Sequence, residues 1–160
     1  MTNIKASINA LDTLKIIITT SGDTEVKEGQ DIASPLRLNA IESSQRRHFL
    51  KATDDILEKR SDTRTDLVEK AKETFKKENK QKKDEPDPVY DKKMINSLNT
   101  NKELLDELQK LGDEVKEIEL SDKTIEVLKK YFISYGDKAG FSTGDDEVVI
   151  EVVDILGIEE

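Results

Sequence analysis

Residues 40–80 read AIESSQRRHFLKATDDILEKRSDTRTDLVEKAKETFKKENK, and neither Gly nor Pro occurs anywhere from Asn39 to Glu85. The stretch is rich in Lys, Glu, Arg and Leu, which favour helix. Acidic residues often precede basic ones by four positions, as Asp66 precedes Lys70, and each such pair stabilises a helix by about 0.2–0.5 kcal/mol. We therefore predict one long helix over about residues 40–80.

The apolar residues of this helix form a thin stripe, because residues 58–66 contribute none. Charge pairs alone do not hold a helix together in water, so the stripe needs a cover. The cover is either the chain's own shorter helices, a second copy of the chain or another protein. For a protein partner, we predict contacts through Arg46, Arg47, Phe49, Leu50, Leu57, Leu67 and Phe75.

The first segment spaces its apolar residues by three and four positions, which predicts an amphipathic helix over about 4–20. Those residues are Ile4, Ile8, Leu11, Leu14 and Ile18. The β-branched run at 16–20 followed by Ser21-Gly22-Asp23 leaves a hairpin as the alternative for residues 15–28. Residues 21–35 are mostly polar, and we predict a surface connection there.

Pro86 and Pro88 interrupt helix formation, and we predict a second surface connection over 81–99. Val115 to Leu120 alternates apolar and charged residues, which predicts a strand, and we expect it to pair with a short strand near 89–90. Further helices are predicted over about 100–111, 122–135 and 145–156, the last ended by Gly157. The prediction is a mainly α fold in a single domain, residues 1–160, with a small two-stranded β element.

Composition limits the classes of function. Of 160 residues, 38% are charged and the net charge is -9, which disfavours nucleic acid and favours a basic surface on a partner. The absence of Cys excludes disulfides and thiolate metal sites. The longest apolar run, Ile16 to Ile18, is far shorter than a membrane span, so we expect no membrane association.

Little in the sequence suggests catalysis, and we expect a protein that is not an enzyme. His48 is the only histidine, and a general base or metal ligand would need converging partners. Gly136, Gly140 and Gly144 recur every fourth residue, but Asp145 stands where a phosphate-binding loop needs Lys. We interpret this segment as an ordinary loop.

Two acidic clusters, at 84–87 and 145–147, lack the twelve-residue frame of a calcium loop. The basic run Lys76, Lys77, Lys80, Lys82 and Lys83 is interleaved with acids and is interpreted as a solvated helix end. We accordingly expect no catalytic residue, no cofactor and no metal site.

The stretch Leu36 to Lys51, with Leu-x-Leu, Ser and paired Arg before Phe49, resembles a family of small uncharacterised proteins encoded by tailed phages of Gram-positive hosts. Arg64, Asp66 and Leu67 match an Arg followed by Leu in the family's long helix, and Pro88-Val89-Tyr90 also matches. The resemblance covers about residues 36–157, while residues 21–35 are longer than the family's usual connection. It implies a phage origin and supplies no catalytic residues.

Two functions follow as hypotheses. The first, which the resemblance implies, is a non-enzymatic virion or tail structural or assembly protein that contacts other proteins or forms a homo-oligomer. It would reside in the host cytoplasm during assembly and then in the virion. The second is a small acidic regulator or inhibitor that occupies a basic site on a host protein.

Overall fold

A computed structural model describes residues 1–27, 30–35 and 37–158, and its mainly helical architecture confirms the predicted fold class. The elements of this part of the chain are β1 (Thr2–Ser7), α1 (Ile8–Thr19), β2 (Thr20–Lys27), β3 (Gln30–Pro35), α2 (Ala40–Glu78), α3 (Asp87–Thr100), α4 (Lys102–Asp113), β4 (Val115–Leu120), α5 (Asp122–Lys138), a 3-10 turn (Thr143–Asp145) and α6 (Asp146–Leu156).

The chain divides into two compact units. The first comprises residues 1–57 and 115–160, and the second comprises residues 58–114. That the whole chain is one domain stays a prediction.

The long helix is confirmed: α2 runs without interruption over 39 residues, about 58 Å at 1.5 Å per residue. It begins with a capping box, in which the backbone N–H of Glu42 donates to Asn39 Oδ1 at 2.8 Å. In return, the N–H of Asn39 donates to Glu42 Oε1 at 3.3 Å. Residues 58–66 are exposed apart from the half-buried Arg60, as their polar sequence predicts.

The core of the first unit surrounds α1, which contacts α5, α6 and β1. Apolar side chains from several elements meet there and are removed from water, which is the main stabilising contribution. The buried core residues are Ile4, Ala6, Ile8, Ala10, Leu11, Leu14, Ile17, Ile18, Phe49, Leu57, Ile118, Leu120, Leu128, Phe132, Val152 and Leu156.

The predicted helix over 4–20 was wrong in its first four residues, which belong to β1. Ser7 ends that strand and caps α1, because its Oγ accepts a hydrogen bond from the N–H of Ala10 at 3.2 Å. The strand at 115–120 is confirmed, but its partner is β1 in antiparallel register, with Ile4 opposite Ile118. An apolar residue at 4 fits a strand as well as a helix, so the spacing from 4 to 8 was ambiguous.

The predicted surface connection over 21–35 was also wrong, because β2 and β3 form an antiparallel pair there. The alternative hairpin had placed residues 16–20 in a strand, whereas α1 continues to Thr19 because Ile17 and Ile18 are buried in the core. Residues 28, 29, 36, 159 and 160 lie outside the described residues. The middle of that connection and Leu36 of the phage-like stretch are among them.

In the second unit, the predicted connection over 81–99 holds only for residues 81–86. Residues 87–99, and with them the predicted strand at 89–90, belong to α3, whose N-cap is Pro86 and whose first turn contains Pro88. Proline is tolerated in the first turn of a helix because the N–H it lacks has no partner there anyway. The helix predicted over 100–111 begins two residues later, capped by Asn101, whose Oδ1 accepts from the N–H of Leu104.

The last two helices match their predictions, with α5 extending three residues further. Gly157 ends α6 in the left-handed conformation at φ +64°, where a glycine has no steric penalty. Of the glycines in the 136–144 segment, Gly136 has a packing role. A Cβ on Gly136 would lie 3.0 Å from the ring of Phe141, which stacks on Phe132 with ring centroids 5.1 Å apart.

Candidate functional site

The predicted partner-binding residues separate into two groups. Phe49 is fully buried and Leu57 is 6% exposed, so both belong to the core of the first unit and present no binding surface. Leu50 is half-buried and packs against the same core. This half of the stripe is therefore covered by the chain's own helices.

Arg46 and Arg47 lie on the surface of α2, the first half-buried and the second exposed. Neither forms an ion pair with another residue in the described part of the chain. His48, beside them, is exposed and lines a pocket of about 350 Å³ with Gln45, Ser121 and other residues. In the described residues, no hydrogen bond joins the His48 imidazole to an acidic or metal-binding side chain.

Leu67 and Phe75 lie in the second unit, where they have different surroundings. The ring of Phe75 packs against that of Tyr90, with centroids 5.6 Å apart. The hydroxyl of Tyr90 donates to the backbone oxygen of Asn79 at 2.6 Å, which ties the start of α3 to the end of α2. Phe75 therefore stabilises the helix junction, while Leu67 faces a groove.

This groove lies between α2 and α4 in the second unit. It has two adjoining parts, of about 590 Å³ and 190 Å³, that share Leu67 and Glu107. Residues at the start of α4 line the groove together with later turns of α2, and residues at the end of α4 line it together with an earlier turn of α2. The two helices are therefore antiparallel. The lining residues are Thr63, Leu67, Lys70, Ala71 and Thr74 from α2 and Asn101, Glu103, Leu104, Glu107, Lys110, Leu111, Asp113 and Glu114 from α4 and its ends.

The groove combines an apolar floor with an acidic rim. Leu104 is buried, and Leu67, Ala71 and Leu111 are half-buried, so the floor still presents apolar surface to water. The lining carries four carboxylates and two lysines. We call this surface, with the lining residues given above, the acid-rimmed groove.

Of these residues, only Leu67 was predicted from the sequence as a partner contact. A signal was present in α4, where Glu103 and Glu107 stand four apart beside Leu104 and Leu111. Residues four apart share a helix face, so this spacing puts an acidic row next to an apolar one. Nothing in the sequence indicated that α2 would lie opposite.

The other polar clusters of the first unit hold the fold together. Lys130 Nζ donates to Glu42 Oε2 and Tyr131 Oη donates to Glu42 Oε1, each at 2.8 Å. The hydrogen bond from Lys130 is the main cause that holds the pKa of Glu42 below its usual value, and it also raises the pKa of Lys130. Burial, followed by the bond to Glu42, raises the pKa of Tyr131.

Two more clusters join distant parts of the chain. Glu151 on α6 accepts from the N–H of Ser7 at 2.8 Å and from its hydroxyl at 2.6 Å. Gln45 Oε1 accepts from the hydroxyls of Ser121 and Thr124 at the start of α5. These bonds satisfy the polar groups in the interior, and each fixes one helix to a neighbour.

Members of the two acidic clusters that we considered as cation sites are bonded to nearby side chains of the chain. Glu85 pairs with Lys93, and Gln81 Nε2 donates to Asp87 Oδ1 at 2.7 Å. Ser142 Oγ donates to Asp145 Oδ2 at 2.7 Å. In the described residues, no group of three or more His, Asp or Glu side chains is placed to hold a metal ion.

Comparisons with protein-family models, with curated proteins and with solved structures found no match to this chain. Within residues 1–27, 30–35 and 37–158, no helix has both the length and the apolar character needed to cross a bilayer. The chain is thus a mainly helical protein with an open apolar groove that has acidic residues along its rim.

Proposed function

We propose that this chain is a non-enzymatic phage protein, a structural or assembly component of the virion or its tail, that acts through protein–protein contacts. The observation that carries the proposal is the acid-rimmed groove. It presents half-buried leucines along two facing helices, a surface that gains free energy when another apolar surface covers it.

The apolar residues of α2 differ in burial between its two halves, which is why we assign binding to the second unit. In the first unit, Phe49, Thr53 and Leu57 are buried by the chain's own elements. In the second unit, α2 contributes no buried residue, and its apolar side chains Leu67, Ala71 and Phe75 are only half-buried. An exposed apolar surface bounded by polar residues is typical of a protein interaction site.

The phage assignment rests on the resemblance over about residues 36–157. Under it, the protein would be in the host cytoplasm during assembly and would then join the particle. Structural and assembly proteins of a virion act by binding other proteins, and the acid-rimmed groove is a surface suited to such binding.

Mass spectrometry of the phage's purified particles and assembly intermediates tests the proposal. We expect peptides of the wild-type chain in at least one of these fractions. Leu67→Asp, which puts a charge on the groove floor, should be depleted from it, while Asp106→Lys, on α4 but not in the groove lining, should be retained. Absence of the wild-type chain from every fraction would contradict the proposal.

A second candidate function, a small acidic regulator or inhibitor of a host protein, is favoured by the four carboxylates of the groove lining. Binding through exposed charges weakens with salt, because mobile ions screen them. This function predicts a host protein that the chain retains at 50 mM NaCl and releases at 500 mM NaCl. A protein retained equally at both concentrations would count against it.

A further inference from the structure

We infer that the occupant of the acid-rimmed groove is an amphipathic helix of another protein, with apolar residues on one face and Lys or Arg along the flank that lies against α4. The inference rests on the proposed function and specifies the chemistry of its partner. Three properties of the groove support it: its length, its floor and the charge of its rim.

The length of the groove suits a helix of about three turns. On α2 the lining extends from Thr63 to Thr74, which is about 16 Å at 1.5 Å per residue. Along α4 and its ends it extends from Asn101 to Glu114, about 20 Å at the same rise per residue. Since the two helices lie side by side, a third helix laid along the groove would contact both of them.

The floor presents its apolar side chains at the spacing of helix packing. Leu67 and Ala71 are one turn apart on α2, and Leu104 and Leu111 are two turns apart on α4. Partner residues at positions i, i+3 or i+4 and i+7 would lie against them. The small side chain of Ala71 allows a large one, such as Leu, to approach the α2 backbone closely.

The rim determines the charge of the occupant. Glu103 and Glu107 form an acidic row one turn apart on α4, and Asp113 lies near the end of the same helix. None of these three carboxylates forms an ion pair with another described residue. Basic residues on the flank that lies against α4 would complement them, with a gain in specificity and association rate. The α2 side of the lining has no acid and contributes Lys70, so basic residues on the opposite flank would find no partner there.

The same charge argues against a second copy of this chain as the occupant. Each copy has a net charge of -9, so two copies repel one another at neutral pH. A partner with a basic segment is attracted instead. We therefore assign the groove to a different protein, and a dimer is an outcome of the test.

The test uses the full chain and a fluorescein-labelled, helix-forming peptide of 14 residues, with Leu at positions 4, 8 and 11, Lys on one flank and Gln on the other. Two control peptides replace every Lys by Glu or shuffle the same residues. Fluorescence anisotropy measures the dissociation constants, and mass photometry of the protein alone reports its oligomeric state. We expect the Lys peptide to bind at least about tenfold more tightly than either control.

Variants locate the binding surface. The double variant Glu103→Lys/Glu107→Lys should weaken binding of the Lys peptide at least about tenfold and strengthen binding of the Glu peptide. Asp106→Lys, which also replaces an acid by Lys on α4 but lies outside the groove lining, should bind as the wild type does. Leu67→Asp should abolish binding while Leu67→Met retains it, with circular dichroism confirming that each variant is folded.

The outcomes separate this inference from the proposed function. If both charged peptides bind equally and only Leu67→Asp interferes, the groove binds proteins but its occupant is not basic, which overturns the inference alone. If no peptide binds, or a dimer covers the groove, the inference also fails, while presence of the chain in phage particles still upholds the function. If Leu67→Asp binds the peptide normally, the groove is not the site, and the inference is wrong.

Discussion

Replacing Phe49 by Ala should destabilise the first unit strongly, although its sequence context had suggested a partner contact. The side chain is fully buried among core residues of the first unit. Truncating a fully buried Phe costs about 3–5 kcal/mol, from the lost transfer free energy and the cavity left behind. Small domains unfold at a cost of about 5–15 kcal/mol, so the loss is a large part of the total.

Leu67→Ala provides the comparison. Leu67 has the same place in the apolar stripe but is only half-buried. Full burial would make its truncation cost about 2–5 kcal/mol, so we expect less than about 2 kcal/mol here. Leu105→Ala serves as a surface control, because Leu105 is 46% exposed and should change stability by about 0.5 kcal/mol or less.

Urea unfolding followed by circular dichroism at 222 nm measures these differences, with the slope against denaturant compared between variants. A Phe49→Ala variant within about 1 kcal/mol of the wild type would refute the assignment of Phe49 to the core. A Leu67→Ala variant that is less stable than Phe49→Ala would instead refute the partial exposure of Leu67. The first result would make Phe49 a candidate for a partner contact again, and the second would remove Leu67 from the binding surface.

Three further predictions concern the bonds that hold the elements in place. Because the folded-state pKa of Glu42 is depressed, its contribution to stability is present above the usual value of about 4.5 and is lost as pH falls through the folded pKa. In urea titrations between pH 3 and 7, the free energy of unfolding should therefore fall less steeply with decreasing pH for Glu42→Gln than for the wild type. An equal pH dependence of the two proteins would contradict the role of this carboxylate. Ser7→Ala should lower the free energy of unfolding by about 0.5–2 kcal/mol, since it removes the cap of α1 and one bond to Glu151, whereas Ser7→Thr should keep most of it. Gly157→Ala should lower stability in a thermal melt by about 1–2 kcal/mol because Gly157 has a positive φ, and Gly157→Asn should lower it less. If Gly157→Ala left the stability unchanged, the end of α6 would have to adopt another conformation.

Much of the helical architecture was predictable because its signals are local. The unbroken α2 follows from 39 residues with no helix breaker. Ser121 at the start of α5 and Gly157 at the end of α6 mark those ends through capping, which involves residues three or four positions apart. Such signals need no knowledge of the rest of the chain.

The errors occurred where a local pattern permitted two structures. Pro88 was taken to exclude a helix, yet in the first turn of α3 it removes no hydrogen bond. Ile4 suited a helical stripe and equally a strand. In both cases, which of the two structures forms depends on contacts with other parts of the chain, which the local pattern does not reveal.

The sequence by itself determined that α2 is an unbroken helix, that 115–120 is a strand and that the chain is acidic. Only the tertiary structure decided that β1 pairs with β4, that Phe49 is core, and that α4 lies opposite α2 to form a groove. Capping and helix propensity act between residues a turn apart, whereas strand pairing and burial depend on residues far apart in the chain. The acid-rimmed groove belongs to the second kind, so its residues became recognisable together only in the folded chain.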